Sequence, residues 1–440
     1  MLKATETEPK IASSKSSAAK SQKVRVRYAP SPTGIPHIGN IRTALFNYLF
    51  AKKEQGQFLL RIEDTDRTRL VPEAVEKIKE SLSLLGLDFH EEEMYQSKRL
   101  DVYKKHLEIL KEKKLVYEDE GAWRFKIPKN KKLSWDDAVH GNVEFKSDVL
   151  EDFVTLKSDG YPTYHFANVI DDHQTQITHV FRGDEWIPST PKHLLLYQAF
   201  GWEPPIFVHV PAILGTDHKK LSKRQGAKSV IEFVEEGYLP EAIINFLAFL
   251  GWAPKDEREI FTQTELAQEF SIDRINKNSP IFNVEKLNWF NKEWIKNLQS
   301  DDLARRINER YPRYSEEKIN QILPIVKDRM VTLDDFGLLG ALFFEKPNLK
   351  ENQKDITITQ QQFEEIITDL IKINAWNEEE ISKIVQSVME KNNLQKAQMY
   401  RSIGIALSGK LVTPPIFPAM EILGKEETLT RLNEAANSKR

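Results

Sequence analysis

The sequence predicts an α/β domain that is interrupted by a β-rich insertion and followed by a helical C-terminal half. Residues 23–95 alternate short apolar strand patterns with helical periodicity, which is typical of the opening of a doubly wound domain. Residues 122–166 instead hold short alternating segments between turn residues, which indicate a separate β-rich unit. From about residue 240 onward, apolar residues recur mostly at helical spacing.

The first elements support the α/β interpretation in order. Residues 23–29 alternate and predict a strand, and residues 38–55 predict a helix with an apolar stripe. A buried strand begins at residue 57 and ends in a charged loop. Pro72 marks the start of a second helix, which Gly86 ends. Strand, helix, strand and helix therefore follow one another, as in a parallel sheet with crossover helices.

The insertion and the C-terminal half complete the plan. An amphipathic helix is predicted over residues 100–115, and strands are predicted over 122–128, 143–147 and 152–166. The α/β pattern then returns with a strand, a helix and a strand over residues 177–186, 190–201 and 206–214. Later helices are predicted over residues 240–252, 303–311, 363–371 and 379–391.

Composition excludes several classes of protein. The chain has 440 residues, of which 40% are hydrophobic and 29% charged, and it contains no cysteine. A disulfide framework, thiol catalysis and a Cys-ligated zinc site are therefore excluded, and a reducing, cytoplasmic setting is favoured. No apolar run approaches the roughly 20 residues that span a bilayer. The net charge of −3 gives no global signal for nucleic acid, although basic residues on one face could still bind RNA.

Residues 1–22 are rich in Ser, Lys and Ala and nearly free of large apolar side chains, so we expect a disordered tail. The Lys and Ser content faintly resembles an organellar transit peptide. Glu6, Glu8 and the absence of Arg argue against that interpretation. An arm that contacts RNA is the other alternative.

The segment from the first strand to the first helix is the first candidate site. The loop contains three prolines and Gly34, and the helix begins near His37. In an open α/β sheet, ligands bind beyond the carboxyl ends of the strands, and a helix N-terminus offers free N–H groups to phosphate. Gly39 leaves room for a nucleotide near the backbone, and His37 could donate to phosphate oxygens. Taken alone, a histidine at a helix start is more often a structural cap.

A basic loop after the strand pattern of residues 206–214 is the second candidate. Its cations are Lys219, Lys220, Lys223 and Arg224, between Gly215 and Gly226. A run of this kind is usually a solvated surface. Here two ammonium groups could reach the charge that develops on a triphosphate, and a glycine-bounded loop can close over a substrate.

Together the two stretches resemble the signatures of class I aminoacyl-tRNA synthetases. "HIGN" at residues 37–40 is similar to their HIGH signature, and "KLSKR" at residues 220–224 is similar to KMSKS. Longer stretches resemble the bacterial-type glutamyl-tRNA synthetases within that class. They include "RYAPSPTGIPHIGN", "RIEDTDRTR", "DGYPTYHFANVIDDHQTQITHVFRGDEW", "STPKHLLLYQAFGW" and, in the C-terminal half, "LNWFNKEWI" and "YRSIGIALSGK". The resemblance runs from about residue 24 to the end of the chain.

The resemblance implies a Rossmann-like class I catalytic domain with an inserted α+β connective domain and an all-helical anticodon-binding region. The implied boundaries are a tail over residues 1–22, catalytic halves over 23–95 and 161–238, the insertion over 96–160, a helical stem-contact domain over 239–310 and an anticodon-binding domain over 311–440. The partners it implies are ATP with Mg²⁺, L-glutamate and tRNA(Glu), with tRNA(Gln) as a further acceptor in some relatives. It also implies a monomer.

The resemblance further implies roles for individual residues. His37 and Gly39 would contact ATP, and Lys220 and Lys223 would stabilise the departing diphosphate. The remaining positions implied to bind ATP are Glu185, Trp186, Ile213 and Leu214. Arg401 is a candidate for anticodon recognition, although an arginine on a core helix is more often structural.

Glutamate carries two carboxylates and one ammonium group, so its pocket needs cations and an anion. Arginine binds carboxylates through a planar fork of donors. The resemblance places Glu63 on the α-amino group and Arg27 and Arg182 on the carboxylates, with Arg182 on the side-chain one. Neutral hydrogen bonds are implied for Ser31, Tyr164 and Asn168.

The sequence departs from the family pattern at two points. Asn40 replaces the second histidine of HIGH, and it can still donate a hydrogen bond. The Cys-rich zinc segment of many relatives is missing after Tyr117, so we expect no zinc.

Three alternatives compete with this interpretation, and the sequence argues against each of them. A glutaminyl-tRNA synthetase would need a pocket for a neutral amide and would carry a β-barrel anticodon module. A truncated relative that glutamylates a modified tRNA base would lack a C-terminal domain. A non-catalytic RNA-binding paralogue is suggested by Asn40. It is opposed by the intact site residues Lys220, Lys223, Arg27, Glu63 and Arg182.

Overall fold

The computed structural model describes residues 23–221 and 228–438, so the predicted tail over residues 1–22 lies outside the described residues. The strands are β1 (Arg25–Tyr28), β2 (Gln57–Ile62), β3 (Met94–Tyr95), β4 (Val116–Asp119), β5 (Ala122–Phe125), β6 (Lys132–Asp137), β7 (Gly141–Lys146), β8 (Phe153–Leu156), β9 (His179–Gly183) and β10 (Ile206–Val210).

The helices of the α/β region and its insertion are α1 (Ile38–Lys53), α2 (Ala74–Leu84), α3 (Leu100–Glu112), α4 (Tyr164–Gln174), α5 (Thr190–Phe200) and α6 (Val230–Glu235). Those of the C-terminal half are α7 (Pro240–Phe249), α8 (Gln263–Glu269), α9 (Val284–Asn297), α10 (Ser300–Arg310), α11 (Glu316–Val326), α12 (Asp335–Leu339), α13 (Gln360–Lys372), α14 (Glu378–Lys391), α15 (Lys396–Ser408), α16 (Ile416–Leu423) and α17 (Lys425–Asn437). Residues 239–438 form helices and no strand, as predicted.

The parallel strands create a reversal of strand order at the centre of the α/β region. β1 pairs with β2 and β2 with β3, while β9 pairs with β10, all in parallel. The Thr178 backbone N–H donates to the Arg25 carbonyl over 2.9 Å and brings β9 beside β1. The three-stranded sheet and the two-stranded sheet therefore lie side by side with their strands in the order β3, β2, β1, β9, β10, and the order reverses between β1 and β9. Such a reversal is where open α/β sheets bind ligands.

The insertion combines α3 with antiparallel strands, which confirms the α+β prediction. β4, β5 and β8 form one sheet, and β6 and β7 form a hairpin. The Ala138 N–H donates to the Phe207 carbonyl over 2.9 Å, so the hairpin end is docked on β10. The insertion is thereby joined directly to the sheet of β9 and β10.

The strand predicted over residues 152–166 is wrong at its C-terminal end. β8 stops at Leu156, and a turn follows in which the Tyr161 N–H donates to Asp159 over 3.0 Å. Tyr164 then begins α4, so the apolar residues that follow it belong to one face of a helix and not to a strand. The hairpin strand β6 was not predicted, although its residues alternate between exposed and buried positions.

The core of the α/β region continues across the predicted boundary at residues 238 and 239. Side chains of β1, α1, α7, α8 and α9 share one apolar cluster, in which the Phe46 and Phe270 rings lie 5.3 Å apart. Separate clusters are centred on α10–α12 and on α13–α17. In the described part of the chain, no helix is long and apolar enough to cross a membrane.

Because α8 shares the core of α1, loosening α8 should destabilise the α/β region. Leu266 on α8 is fully buried, and its replacement in Leu266→Ala should cost about 2–5 kcal/mol of unfolding free energy. Leu338→Ala is the matched control, because Leu338 is 57% exposed, and it should change stability by less than about 0.5 kcal/mol. Urea unfolding and hydrogen exchange test both variants. Faster exchange in α8 with unchanged exchange in α1 would show two independent units.

Candidate active site

A cavity of about 500 Å³ lies at the reversal of strand order, beyond the ends of β1, β2, β9 and β10. Both candidate stretches of the sequence contribute to its wall. The residues predicted for the site that line it are Arg27, Ser31, His37, Gly39, Glu63, Tyr164, Asn168, Arg182, Glu185, Trp186, Ile213 and Lys220. The exposed Asn40 lines it as well.

Three predicted positions are not among the lining residues. Leu214 has both backbone polar groups bonded to the segment at residues 280–282. Arg401 lies on α15, where it donates to Asp355 over 2.8 Å. Lys223 falls outside the described residues.

His37 is both a helix cap and a wall of the cavity. Its Nδ1 accepts the Gly39 N–H over 3.0 Å at the start of α1. A ring nitrogen that accepts carries no proton, so the proton of the neutral ring sits on Nε2. Burial lowers the pKa of His37, and the charge of Lys220 lowers it further. His37 can therefore donate one hydrogen bond from Nε2 at neutral pH.

The expectation of free backbone N–H groups at this helix start is wrong. The Ile38 N–H donates to the Lys228 carbonyl over 3.2 Å, and the Asn40 N–H donates to the His37 carbonyl over 3.0 Å. The missing side chain of Gly39 leaves room for the His37 ring rather than for a ligand, since an added Cβ would lie 2.8 Å from His37 Cε1. An anion at this helix start would therefore have to be bound by side chains and the helix dipole.

The residues that follow β10 turn back and bring Lys220 to the cavity. The Leu221 N–H donates to the Ile213 carbonyl over 3.0 Å. Lys220 Nζ donates to Glu185 Oε1 over 3.3 Å, and both side chains are largely exposed. An exposed ion pair is worth about 1 kcal/mol or less, so an incoming polyanion can take Lys220 from Glu185.

Two buried guanidiniums near the reversal are paired with carboxylates. Arg27 donates from Nε and Nη2 to Asp172 over 3.0 and 3.2 Å. Arg61 donates to Asp172 over 2.6 Å and to Glu63 over 3.0 Å. Burial raises the pKa of Glu63, and the positive charges of Arg61 and Arg27 lower it in part. These pairs balance most of the charge behind the cavity.

Glu63 retains an open oxygen for a cation. Oε1 accepts from Arg61, whereas Oε2 has no donor among residues 23–221 and 228–438. Beside it, the Asn168 amide is satisfied when Nδ2 donates to Asp172 over 3.0 Å and Oδ1 accepts from Arg61 over 2.8 Å. Asn168 is therefore fixed in the wall.

Arg182 differs from Arg27 and Arg61 because all its partners are neutral. It donates to His209 Nε2 over 3.0 Å, His193 Nδ1 over 3.2 Å, Thr190 Oγ1 over 2.7 Å and the Tyr164 hydroxyl over 3.4 Å. In the described ranges no carboxylate lies within ion-pair distance of it, and it is only 6% exposed. The cavity thus contains a buried positive charge without a counter-ion in contact.

Sequence reasoning missed Arg61, Asp172, His193 and His209. Asp172 belongs to a pair of adjacent acidic residues in a helix pattern, His209 interrupts an apolar run, and His193 directly precedes one. The interruption at His209 is the clearest signal, because a polar residue in a buried pattern needs a partner. No group of three or more His, Asp or Glu that could hold a metal occurs in the described part of the chain.

The buried histidines predict acid destabilisation. Burial lowers the pKa of His165 and of His179 to about 4, and it also lowers the pKa of His193 and His209. In the unfolded chain these histidines bind protons near pH 6.5, whereas in the folded chain they stay neutral to lower pH. The folded state therefore has its full stability above about pH 6.5 and loses stability as the pH falls toward 4. Each such histidine contributes at most about 1.4 kcal/mol per pH unit in the window.

Urea unfolding at several pH values between about 7 and 5 tests this expectation. His179→Asn should flatten the pH dependence, because asparagine does not titrate. His218→Asn is the control, since His218 is exposed and asparagine tolerates its positive φ of 61°. Equal slopes for wild type and His179→Asn would contradict the account.

Known proteins share this architecture and sequence. A family model described as tRNA synthetases class I (E and Q), catalytic domain, matches residues 23–122 and 111–289. A model described as an anticodon binding domain matches residues 286–436. The two models together account for nearly all of the described chain.

Individual relatives match over most of their length. A glutamate–tRNA ligase of Dehalococcoides mccartyi is 40% identical, covering 93% of this chain and 96% of that protein. One of Chloroherpeton thalassium is 36% identical over 94% of this chain and 98% of that protein. The crystal structure of a glutamate tRNA ligase from Elizabethkingia meningosepticum in complex with its amino acid superposes with a TM-score of 0.84 at 32% identity, covering 95% of this chain and 100% of that one.

These matches confirm the resemblance predicted from the two signatures and their flanking stretches. They also confirm the predicted fold class, a class I catalytic domain followed by a helical anticodon-binding region. The chain belongs to the class I tRNA synthetases of the glutamate and glutamine type.

Proposed function

We propose that this chain is a glutamate–tRNA ligase. In the first step, an α-carboxylate oxygen of glutamate attacks the α-phosphorus of ATP, and the bond to the β-phosphate breaks to release diphosphate. In the second step, a hydroxyl of the terminal ribose of tRNA(Glu) attacks the acyl carbon, and AMP leaves. Neither step needs a nucleophile from the protein.

The observation that carries the proposal is the unpaired charge of Arg182. Its four partners in the wall are neutral and accept four of its five N–H groups. A γ-carboxylate would therefore supply the counter-ion, accept the fifth N–H and take over the one that is directed at the Tyr164 hydroxyl over 3.4 Å. A glutamine side chain would leave the charge unmatched and would turn an amide N–H₂ toward a pure donor. Sites built for one hydrogen-bonding pattern reject the other strongly.

The backbone end of glutamate fits the opposite side of the cavity. Glu63 Oε2 can accept from the α-ammonium group. Arg27 is already matched by Asp172, so its remaining N–H groups would orient the α-carboxylate without cancelling its charge. The α-carboxylate would then remain nucleophilic. Ser31, Tyr164 and Asn168 would supply neutral contacts.

The ATP phosphates are proposed to lie between His37 and Lys220. His37 Nε2 would donate to a phosphate oxygen, and Lys220 would leave Glu185 for the diphosphate. Groups of this kind stabilise charge that develops in the transition state. Lys223 is proposed for the same charge, and Glu185, Trp186 and Ile213, which line the cavity, are proposed for the nucleoside.

We propose that Mg²⁺ arrives bound to ATP. Magnesium usually keeps several waters and binds through one or two carboxylates plus substrate phosphates, which suits a cavity whose wall includes Glu185. The ion would reduce the charge of the triphosphate when it is bound.

The match of residues 286–436 to an anticodon binding domain supports tRNA as the acceptor.

Several finer assignments stay predictions. They are anticodon contacts by Arg401, charging of tRNA(Gln), action as a monomer, a cytoplasmic setting, the absence of zinc, and the boundaries of the stem-contact and anticodon-binding domains.

Replacing Arg182 tests the assignment of the γ-carboxylate. Arg182→Ala should reduce kcat/KM for glutamate at least a hundredfold in tRNA charging, because the charged hydrogen bonds are lost. Arg305→Ala is the control, since Arg305 pairs on the surface with Asp302 and Glu309. Charging by wild type should also strongly prefer glutamate to glutamine. Unchanged glutamate charging by Arg182→Ala would remove Arg182 from the pocket.

Replacing Gly39 tests the role of His37. In Gly39→Ala the new methyl would displace the His37 ring, so adenylate formation should fall about ten- to a hundredfold. His37→Asn retains a helix cap and should lose a similar factor. If Gly39→Ala acts through the ring, it should add little to His37→Asn. A second full loss in the double variant, measured in the same assay, would contradict this role.

A further inference from the structure

A buried chain of hydrogen bonds lies behind Arg182 and leads into the insertion. Asp137, at the end of β6, accepts from His209 Nδ1, and His209 Nε2 accepts from Arg182 Nε over 3.0 Å. The side chains of Asp137 and His209 have no exposed surface. The chain therefore joins the β6–β7 hairpin of the insertion to the wall of the cavity.

The contacts determine which nitrogen of His209 carries the proton. Arginine can only donate, so Nε2 must present its lone pair to Arg182, and the proton must sit on Nδ1. The ionised Asp137 accepts that proton's hydrogen bond. Burial raises the pKa of Asp137, but the bonds from His209 and from backbone N–H groups bring it below its usual value. Burial lowers the pKa of His209, so the contact joins a carboxylate to a neutral ring.

Asp137 is itself held in a fixed orientation. Its Oδ1 accepts the N–H groups of Val139 and His140, each over 3.1 Å. Only Oδ2 then faces the imidazole. The carboxylate can neither rotate freely nor offer a different atom to His209.

A second imidazole accepts from Arg182 in the same way. His193 Nδ1 lies 3.2 Å from Arg182 Nη1, and His193 Nε2 lies 3.0 Å from His165 Nδ1. Because Arg182 donates to Nδ1, the His193 proton sits on Nε2 and points to His165. The two neutral imidazoles accept from different nitrogens of Arg182, His209 from Nε and His193 from Nη1. Together they fix the plane of the guanidinium without cancelling its charge.

We infer that Asp137 and His209 are positioning residues that make Arg182 specific for a carboxylate side chain. The inference rests on the proposed function and deepens it, because it assigns selectivity to a pair that lies behind the binding residue. Asp137 fixes the proton on His209, His209 holds Arg182 through a neutral acceptor, and the charge of Arg182 stays available for the substrate. Neither positioning residue lines the cavity.

Asp137→Asn tests this directly. The asparagine oxygen will stay with the N–H groups of Val139 and His140, and its N–H₂ will face His209 Nδ1. The His209 proton must then move to Nε2, where it opposes the Arg182 Nε–H. We expect KM for glutamate to rise about ten- to a hundredfold, the preference for glutamate over glutamine to fall, and KM for ATP to stay unchanged.

The matched control is Asp136→Asn. Asp136 is the exposed neighbour on the same strand, where it accepts from the Asn142 side chain over 3.0 Å. This variant should charge tRNA with wild-type KM values for glutamate and ATP. All assays use the full chain with tRNA present.

His209→Gln separates positioning from mere packing. The glutamine oxygen can take the place of Nε2 and accept from Arg182, and it has no tautomer to invert. His209→Gln should therefore keep KM for glutamate within about threefold of wild type. Adding Asp137→Asn to His209→Gln should change it little. An equal rise in KM on both backgrounds would overturn the inference, as would a wild-type KM in Asp137→Asn.

A measurement without turnover separates this inference from the proposed function. In protein labelled with ¹⁵N-histidine, the His209 signals, assigned by their loss in His209→Gln, should show the proton on Nδ1 in wild type and on Nε2 in Asp137→Asn. A proton on Nε2 in wild type would overturn the inference even if glutamate is charged. Failure of wild type to charge glutamate would overturn the proposed function and leave the tautomer result intact.

Discussion

The site depends on a guanidinium that is buried without a contacting carboxylate. Desolvating a charge is costly, and proteins usually offset that cost with an opposite charge close by. The same region does so for Arg27 and Arg61, which share Asp172. Arg182 instead has four neutral acceptors, which satisfy four of its five N–H groups and do not neutralise its charge. Under the proposed function, the carboxylate of the substrate would complete the arrangement.

The fold determines where that charge lies. β1 and β9 meet at the reversal of strand order, so Arg27 on β1 and Arg182 on β9 reach the same cavity from neighbouring strands. The start of α1 places His37 at its edge, and the turn after β10 returns Lys220 to it. Helices α7–α9 share the core of α1 and support the helix that carries His37. The insertion contributes as well, because its hairpin supplies Asp137.

Much of this architecture could be predicted from the sequence. Strong periodicity located the elements of the α/β region and the helical C-terminal half, and two signatures with their flanking stretches identified the family. Local pattern was insufficient at Tyr164, whose alternating neighbours begin a helix after a turn. It also suggested free N–H groups at the start of α1, which the Lys228 carbonyl and His37 occupy instead.

The partners of the site residues could not be predicted, because they are distant in sequence. Arg27 and Asp172 are separated by 145 positions, and Asp137 and His209 by 72. A sequence shows that a buried histidine needs a partner without showing which one. Whether an arginine is paired or unpaired is decided by such distant contacts, and that difference separates Arg27 from Arg182.

The most direct test of the unpaired charge is a crystal structure of the full chain with glutamate bound. The account predicts that the γ-carboxylate accepts two N–H groups of Arg182 while His209 and His193 keep their contacts with it. The α-ammonium group should lie on Glu63 Oε2. A γ-carboxylate bound elsewhere, with Arg182 turned to a protein carboxylate, would contradict it.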